Sequence, residues 1–306
     1  MRIIITGGTG LIGGELTDAL VRDGHQFTSL VRNARTSSAA ATAFLSWDVE
    51  RGHIEDASRL EGHDAVIHLA GENVAGGRWT AERKRRIRDS RVKGTRLLVD
   101  TLKRLKAPPK VFLSGSATGF YGSDRGAETL TEESAPGDDF LAGVCREWEA
   151  EALRAQEFGA RVVLLRTGIV LSRNGGALAK MLPVFKMGLG GKLGDGRQVM
   201  SWIAMPDEIA AIRFALTNEG IRGPINLTAP DPVTNVEFTK TLGRVLSRPT
   251  LFAVPGFALR LAVGELADTV LGSLRVLPAN LEAAGFRFEF PDFENALRHL
   301  NLSTPK

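Results

Sequence analysis

The sequence has little cysteine and little tyrosine: its 306 residues include one of each, Cys145 and Tyr121. A single cysteine excludes an internal disulfide and a cysteine-based metal cluster, and we expect no metal site. No apolar run approaches the ~20 residues that span a membrane, and no signal segment precedes the first predicted strand. We therefore expect a cytoplasmic protein in a reducing compartment, without a membrane partner.

The overall composition is that of an ordinary folded protein. Hydrophobic residues make up 43% of the chain and charged residues 24%, which is enough apolar material for a full core. The length suits one large α/β unit or two closely packed lobes. The net charge of +4 is modest and does not by itself indicate nucleic acid or an anionic membrane as a partner.

A glycine turn near the amino terminus is the feature around which the chain is organised. An unbroken apolar run at residues 2–6 predicts a buried strand. Gly7, Gly10 and Gly13 follow in the spacing G-x-x-G-x-x-G, and residues 15–21 predict a helix. A glycine turn between a strand and a helix lets the backbone approach an anion closely, typically a pyrophosphate. The alternative is a glycine-rich turn in another kind of α/β protein.

An arginine follows the second predicted strand, at residues 26–31. In NAD-binding versions of this arrangement an acidic residue near this point binds the ribose hydroxyls, whereas arginine suits the 2′-phosphate of NADP. Arg32 stands here and the acidic residue is missing, so we favour NADP(H). The alternative for Arg32 is a solvated charge at the end of a strand.

The predicted strand at residues 64–70 should bring further residues to the groove. Ligands of such sheets lie beyond the carboxyl ends of the strands, so we expect Leu69, Ala70, Gly71 and Glu72 to line it. His68, inside this strand, is more simply a packed core histidine than a catalyst.

A basic helix is predicted at residues 80–105. Without interleaved aromatic residues for base stacking, a solvated basic face explains most of its charges better than nucleic-acid binding. Among them, Arg91 is the residue we expect to reach the cofactor phosphates.

Hydroxyls and glycines cluster after the predicted strand at residues 110–113. Ser116 and Tyr121 belong to this segment, and such groups beyond a central strand suit a small polar substrate. A serine- and glycine-rich loop without chemistry is the alternative.

The chain divides into two predicted regions. We expect residues 1–172 to form a doubly wound parallel Rossmann sheet, an α/β fold that leaves room for later segments to return to it, and residues 173–306 to form a smaller α/β substrate lobe. In this lobe we expect strands at residues 198–203, 223–227 and 287–290, a helix at 235–246 capped by Thr234 or Asn235, and an apolar helical stretch at 255–271 broken by glycines.

Several motifs together resemble the extended short-chain dehydrogenase/reductases, and more narrowly an atypical branch called the epimerase family proteins. The matching segments are Thr6 to Gly13, His68 to Asn73, Ser116 to Thr118, Tyr121-Gly122, Arg166 to Leu171, Gly188 to Gly191 and Ser201 to Ile203. The branch ends in a small domain of unknown function, which Val254 to Leu300 resembles. The likeness runs along essentially the whole chain.

The resemblance implies a Rossmann fold, NADP(H) and a set of site residues. It implies that Gly7, Gly10 and Gly13 bind the pyrophosphate with Thr9, Leu11 and Ile12, that Arg32 binds the 2′-phosphate, and that Asp48 borders the adenine. It implies that Leu69 and Ala70 lie near the ribose and nicotinamide, that Ile169 lies near the nicotinamide, that Ser116 is the catalytic serine, and that Tyr121 lines the substrate pocket.

One departure from the family pattern bears on catalysis. Typical members carry Tyr-x-x-x-Lys on the helix after this loop, where the lysine charge lowers the tyrosine pKa. Here that helix, from Phe140, has neither residue, and Arg125 stands four residues after Tyr121. We therefore keep two hypotheses: an oxidoreductase or epimerase acting on a small polar or sugar-like molecule, with Ser116 and Tyr121 as its catalytic residues, and a non-catalytic NADPH sensor. A monomer and a homodimer through the two long helices are both open.

Overall fold

The computed structural model describes residues 1–32 and 43–302. The small polar loop predicted at residues 36–42 lies outside these residues. Within them, no helix is both long and apolar enough to cross a membrane. No group of three or more metal-ligating side chains is present in the same described part of the chain.

The strands follow the apolar runs of the sequence. In chain order they are β1 (Arg2–Thr6), β2 (Gln26–Val31), β3 (Ala43–Asp48), β4 (His53–Ile54), β5 (Ala65–His68), β6 (Val111–Ala117), β7 (Thr129–Leu130), β8 (Arg161–Thr167), β9 (Ile169–Leu171), β10 (Gly191–Leu193), β11 (Val199–Met200), β12 (Trp202–Ala204), β13 (Gly223–Leu227), β14 (Val233–Thr234), β15 (Phe252–Val254) and β16 (Arg275–Val276).

The helices alternate with the strands of the first two thirds of the chain. They are α1 (Leu11–Arg22), α2 (Ala81–Leu102), α3 (Phe140–Leu153), α4 (Gly176–Lys186), α5 (Met205–Thr217), α6 (Asn235–Leu246), α7 (Gly256–Val263), α8 (Leu266–Leu271), α9 (Ala279–Ala283) and α10 (Phe293–His299). The side chain of Thr80 caps α2 by accepting a hydrogen bond from the Arg83 N–H. Thr234 and Glu237 form a capping box at α6.

An eight-stranded sheet forms the centre, in the order β13-β8-β6-β5-β1-β2-β3-β4. All neighbouring pairs are parallel except β3 and β4, which are antiparallel. The chain runs outward from β1 in one direction and from β5 in the other, so the strand order reverses between them. The predicted doubly wound Rossmann sheet is confirmed, and such a reversal is where ligands bind in these folds.

Two apolar layers cover the faces of the sheet. α1 and α5 pack on one face, where Ile3, Ile5, Leu165 and Ile212 are buried. α2 and α3 pack on the other face, against Ile4, Val66 and Phe112. Because both faces are covered, the strands read as continuous apolar runs rather than alternating ones.

The second region returns to the sheet and adds a layer beyond it. β13, at the predicted residues 223–227, pairs with β8 at the edge of the main sheet. A separate core around Trp202, Phe238 and Phe293 joins α4, α6 and α10.

Two predicted strands of this region differ from the structure. Residues 198–203 form two short strands, β11 and β12, separated at Ser201. The prediction of a strand at residues 287–290 is wrong, because the structure has no strand there. The N–H groups of Glu289 and Phe290 donate to the Asp207 carboxylate at 2.7 and 3.0 Å, so a side chain satisfies them instead of a neighbouring strand.

Candidate functional site

The glycine turn after β1 permits close backbone contacts that side chains would block. Gly7 has φ +74°, and a Cβ there would lie 2.7 Å from the Leu69 carbonyl carbon. A Cβ at Gly13 would lie 2.1 Å from the Gly7 oxygen. The Gly10 N–H donates to that same oxygen at 2.9 Å. The three predicted glycines therefore let α1 pack directly against the turn.

The amino end of α1 faces this turn without a capping side chain. Its N-cap residue is Gly10, and no acidic residue stands in the first turn. The first N–H groups of a helix and its dipole together attract an anion. The backbone geometry thus fits a diphosphate, as the sequence predicted.

A groove of about 720 Å³ opens at the carboxyl ends of β1, β2 and β5. Nine of the predicted cofactor residues line it: Gly7, Thr9, Gly10, Arg32, Asp48, Leu69, Ala70, Gly71 and Glu72. Trp47, Arg86 and Ser90 are among the other residues that line it. A groove of larger volume, about 920 Å³, lies between β4 and α2. It lacks the glycine turn, so the groove of about 720 Å³ is the better candidate for the nucleotide.

Two arginines of this groove come from different elements. Arg32 follows β2 directly and is exposed. Arg86 lies on α2, where its guanidinium nitrogen is 3.3 Å from a carboxylate oxygen of Glu82. Asp48 ends β3, where its carboxylate accepts the Arg51 N–H at 3.0 Å. The sequence predicted Arg32 and Asp48 here but not Arg86.

Arg91 lies behind the groove rather than in it, contrary to what the sequence led us to expect. Its guanidinium donates to the carbonyl oxygens of Glu72 and Ile87 at 3.0 and 3.1 Å, and it lies over the ring of Trp148. It also packs against Gly71. Arg86 and Ser90 share the helix face toward the groove, whereas Arg91, one residue further, points inward.

Three other predicted residues also lie beside the groove lining. Ile12 packs on the core under the sheet. The Leu11 side chain lies against Gly175, the residue before α4, where an added Cβ would be 3.0 Å from a Leu11 methyl carbon. Ile169 lies on β9, paired with Trp202 of β12. The structure shows these three side chains supporting neighbouring elements.

His68 is the core histidine that the sequence predicted. It has no exposed surface, and its ring nitrogens lie 2.6 Å from the Thr6 hydroxyl and 2.9 Å from the Thr95 hydroxyl. Burial lowers its pKa to about 3, so the ring is neutral.

Ser116 lies near the carboxyl end of β6, within a buried network of charged side chains. Its hydroxyl donates to the Glu149 carboxylate at 2.6 Å. Arg166 donates to both oxygens of Glu149 at 2.9 Å, and both side chains are almost fully buried. Burial acts to lower the Arg166 pKa, but the bonds to Glu149 outweigh it and the pKa is raised. The ion pair with Arg166 holds the Glu149 carboxylate in place, and that carboxylate fixes the Ser116 hydroxyl.

Tyr121 belongs to the same network and has no exposed surface. Its hydroxyl donates to Asn226 at 2.7 Å and accepts from Arg166 at 3.0 Å. Burial raises its pKa, against the opposing effects of Arg166 and Asn226. A fully buried hydroxyl with both bonds inside the protein does not line a pocket, so the structure corrects the prediction for Tyr121.

The face of α3 toward this network carries neither tyrosine nor lysine. Leu141, Cys145 and Glu149 stand at helical spacing: Leu141 lies beside Gly119, and the Cys145 sulfur lies 4.0 Å from the Ala117 oxygen. Burial, with the nearby charge of Glu149, raises the Cys145 pKa to about 12. A neutral thiol and a leucine provide no acid/base pair of the usual kind.

Glu149 and Arg166 are the main residues that sequence reasoning missed. A signal was present, because Arg166 lies at the end of an apolar run within β8, and a buried charge requires a partner. The partner itself was not evident, since Glu149 is 17 residues away and was part of an unremarkable amphipathic helix.

Comparisons with known proteins agree with this geometry. The profile of the NAD-dependent epimerase/dehydratase family matches residues 3–227. The chain belongs to this family. A domain of unknown function (DUF1731) matches residues 254–300, as in the atypical branch that the sequence resembles.

Relatives of this epimerase branch are similar over nearly their whole length. An epimerase family protein of Mycobacterium leprae is 41% identical, covering 97% of this chain and 94% of the relative. One of Bacillus subtilis is 40% identical, covering 98% of each. The crystal structure of human epimerase family protein SDR39U1 with NADPH has a TM-score of 0.89 and 32% identity, covering 98% of this chain and 99% of that one.

Proposed function

We propose that this family member binds NADP(H) in the groove beside the glycine turn. The observation that carries the proposal is the joint lining of one groove by that turn and by the exposed Arg32. The turn and the amino end of α1 suit the diphosphate, and a guanidinium suits the additional 2′-phosphate. The NADPH complex of the human relative supports the same assignment.

The chemistry we propose is that of an oxidoreductase or epimerase acting on a small polar or sugar-like molecule. The nicotinamide, when bound, supplies or accepts hydride. Leu69 and Ala70 border its end of the groove. Ser116, at the carboxyl end of β6, positions the reacting oxygen of the substrate, and its own proton is directed to Glu149. Tyr121 holds Arg166 and takes no part in proton transfer.

A second function, a non-catalytic NADPH sensor, is favoured by a specific observation. Ser116 is only 6% exposed and Tyr121 is fully buried, and α3, which carries Leu141 and Cys145 on its face toward this network, has neither tyrosine nor lysine. This arrangement retains the nucleotide groove without the usual means of proton transfer.

The binding proposal is tested with Arg32→Asp. Because a charge-assisted bond contributes about 1.5–3 kcal/mol, we expect NADPH affinity to fall about tenfold or more, with preference shifting toward NADH. Calorimetric titration with both nucleotides measures this. Arg85→Asp, on the exposed face of α2 outside the groove, is the control with the same charge change. Equal NADPH affinity in Arg32→Asp and wild type would contradict the assignment.

The two functions are separated by a carbonyl substrate screen that follows NADPH oxidation. Turnover that Ser116→Ala lowers, and Ser114→Ala does not, supports the oxidoreductase. Ser114 is the matched control because it is a buried serine two residues earlier on β6, bonded to a backbone oxygen. Binding without turnover across the screen, unaffected by Ser116→Ala, favours the sensor.

A further inference from the structure

Exposed apolar side chains are concentrated on one part of the second region. Ten large apolar residues of the described chain are exposed, and seven of them fall in two segments. We call these seven the apolar patch: Val184, Met187, Leu189, Leu251, Phe252, Phe257 and Leu261. The exposed fractions reach 87% for Leu251, 72% for Leu261 and 68% for Phe257. Soluble proteins seldom leave such a concentration exposed without an interaction to explain it.

The two segments are neighbours in space. β10 pairs with β15, with Gly191 opposite Phe252, and a side chain at Gly188 would contact Pro249. α7 follows β15 after one residue, and it carries Phe257 and Leu261 one helical turn apart. No residue of α7 is buried, so this helix lies on the surface along its whole length.

The two segments carry an excess of positive charge, although Asp195, Glu237 and Glu265 directly flank them. Residues 174–194 contain Lys180, Lys186 and Lys192, and residues 238–264 contain Lys240, Arg244, Arg248 and Arg260; neither segment has an aspartate or glutamate. Arg244 pairs with Glu294 and Arg260 with Asp268. Lys186 and Arg248 are exposed at the borders of the apolar patch. The modest net charge of the whole chain conceals this local excess.

We propose that the apolar patch docks on an anionic membrane surface. Exposed aromatic and aliphatic side chains with flanking basic residues suit the boundary between lipid headgroups and acyl chains, and the positive charge suits anionic headgroups. A second copy of the chain would bring two basic surfaces together, which disfavours self-association here. Docking of this kind needs no membrane-spanning helix, and it is an alternative to the sequence-based expectation of no membrane partner.

The test is flotation of the full chain with lipid vesicles. Vesicles of phosphatidylcholine with phosphatidylglycerol should bind the protein at low salt, vesicles of phosphatidylcholine alone should bind it much less, and high salt should weaken binding. Leu251→Glu and Phe257→Glu should each reduce partitioning about tenfold or more, since a carboxylate opposes both interactions. Lys186→Glu with Arg248→Glu tests the charge separately.

Val21→Glu is the matched control, because Val21 is an exposed apolar residue of α1, outside the patch. All variants are at exposed positions, and circular dichroism checks that they fold. The proposal is overturned by absence of binding to the anionic vesicles at low salt, by equal binding of the patch variants and wild type, or by equal binding to both vesicle types. It is also overturned if sedimentation shows a dimer that the patch variants dissociate while vesicles leave the protein unbound.

Discussion

Replacing Gly13 by alanine tests the packing of α1 on the glycine turn. The added Cβ would lie 2.1 Å from the Gly7 oxygen and 2.9 Å from both the Gly7 carbonyl carbon and the Gly8 Cα. The first contact is 0.9 Å inside the 3.0 Å below which real Cβ contacts essentially do not occur. All three neighbours are backbone atoms, so the helix and the turn must separate. Overpacking of this kind costs about 1–3 kcal/mol or more.

The separation displaces the N–H groups that would bind the diphosphate. We therefore expect Gly13→Ala to lower NADPH affinity more than about tenfold and to lower the free energy of unfolding. Calorimetric titration and urea unfolding measure the two effects.

Gly14→Ala provides the control from the next residue of the same helix. Its Cβ would lie 4.0 Å from the nearest atom, the Gly8 oxygen. Alanine is favoured over glycine inside a helix by about 1 kcal/mol, so this variant should be at least as stable as wild type and should bind NADPH normally. Wild-type affinity and stability in Gly13→Ala would refute the reasoning. Should Gly13→Ala not fold, Gly10→Ala, whose Cβ would lie 3.2 Å from the Gly7 oxygen, is a milder variant of the same test.

Three further predictions concern the buried polar groups. Burial raises the Glu208 pKa from 4.5 to about 8, so between these pH values the folded state retains a proton that the unfolded state loses. The free energy of unfolding should therefore fall as pH rises through this range. Urea unfolding of Glu208→Gln should show a smaller dependence of that free energy on pH. Tyr121→Phe should destabilise the protein by about 1–3 kcal/mol, because two buried partners lose a bond, with NADPH affinity unchanged; a selective loss of turnover instead would restore Tyr121 to catalysis. Glu149→Gln should cost about 3–5 kcal/mol by leaving the Arg166 charge unpaired, and thermal unfolding indistinguishable from wild type would contradict that pairing.

The parts of the fold that local patterns determine were predicted well. β1 came from an apolar run and β2 from an alternating pattern, and the α6 cap was expected at Thr234 or Asn235 and is formed by Thr234. Residues 198–203 and 287–290 were predicted less well because distant groups decide their structure. Ser201 separates β11 from β12, where its hydroxyl contacts the Leu274 oxygen and the Val276 N–H, and the distant Asp207 binds the N–H groups at 289 and 290.

In the candidate site, too, local patterns predicted some residues, whereas others depend on contacts between distant parts of the chain. That the glycine turn and Arg32 line one groove was predicted because both follow neighbouring parallel strands, β1 and β2. Arg86 and Arg91 differ only in which face of α2 they occupy, and that depends on how the helix packs. The network of Ser116 and Tyr121 joins residues 33 and 105 positions apart, a separation over which sequence patterns give no contact.

The most direct test of the central claim is a crystal structure of this chain with NADPH. We expect the diphosphate at the glycine turn, within hydrogen-bond distance of the first N–H groups of α1, and the 2′-phosphate beside the Arg32 guanidinium. A nucleotide bound elsewhere, or a 2′-phosphate with Arg32 turned away from it, would contradict the account.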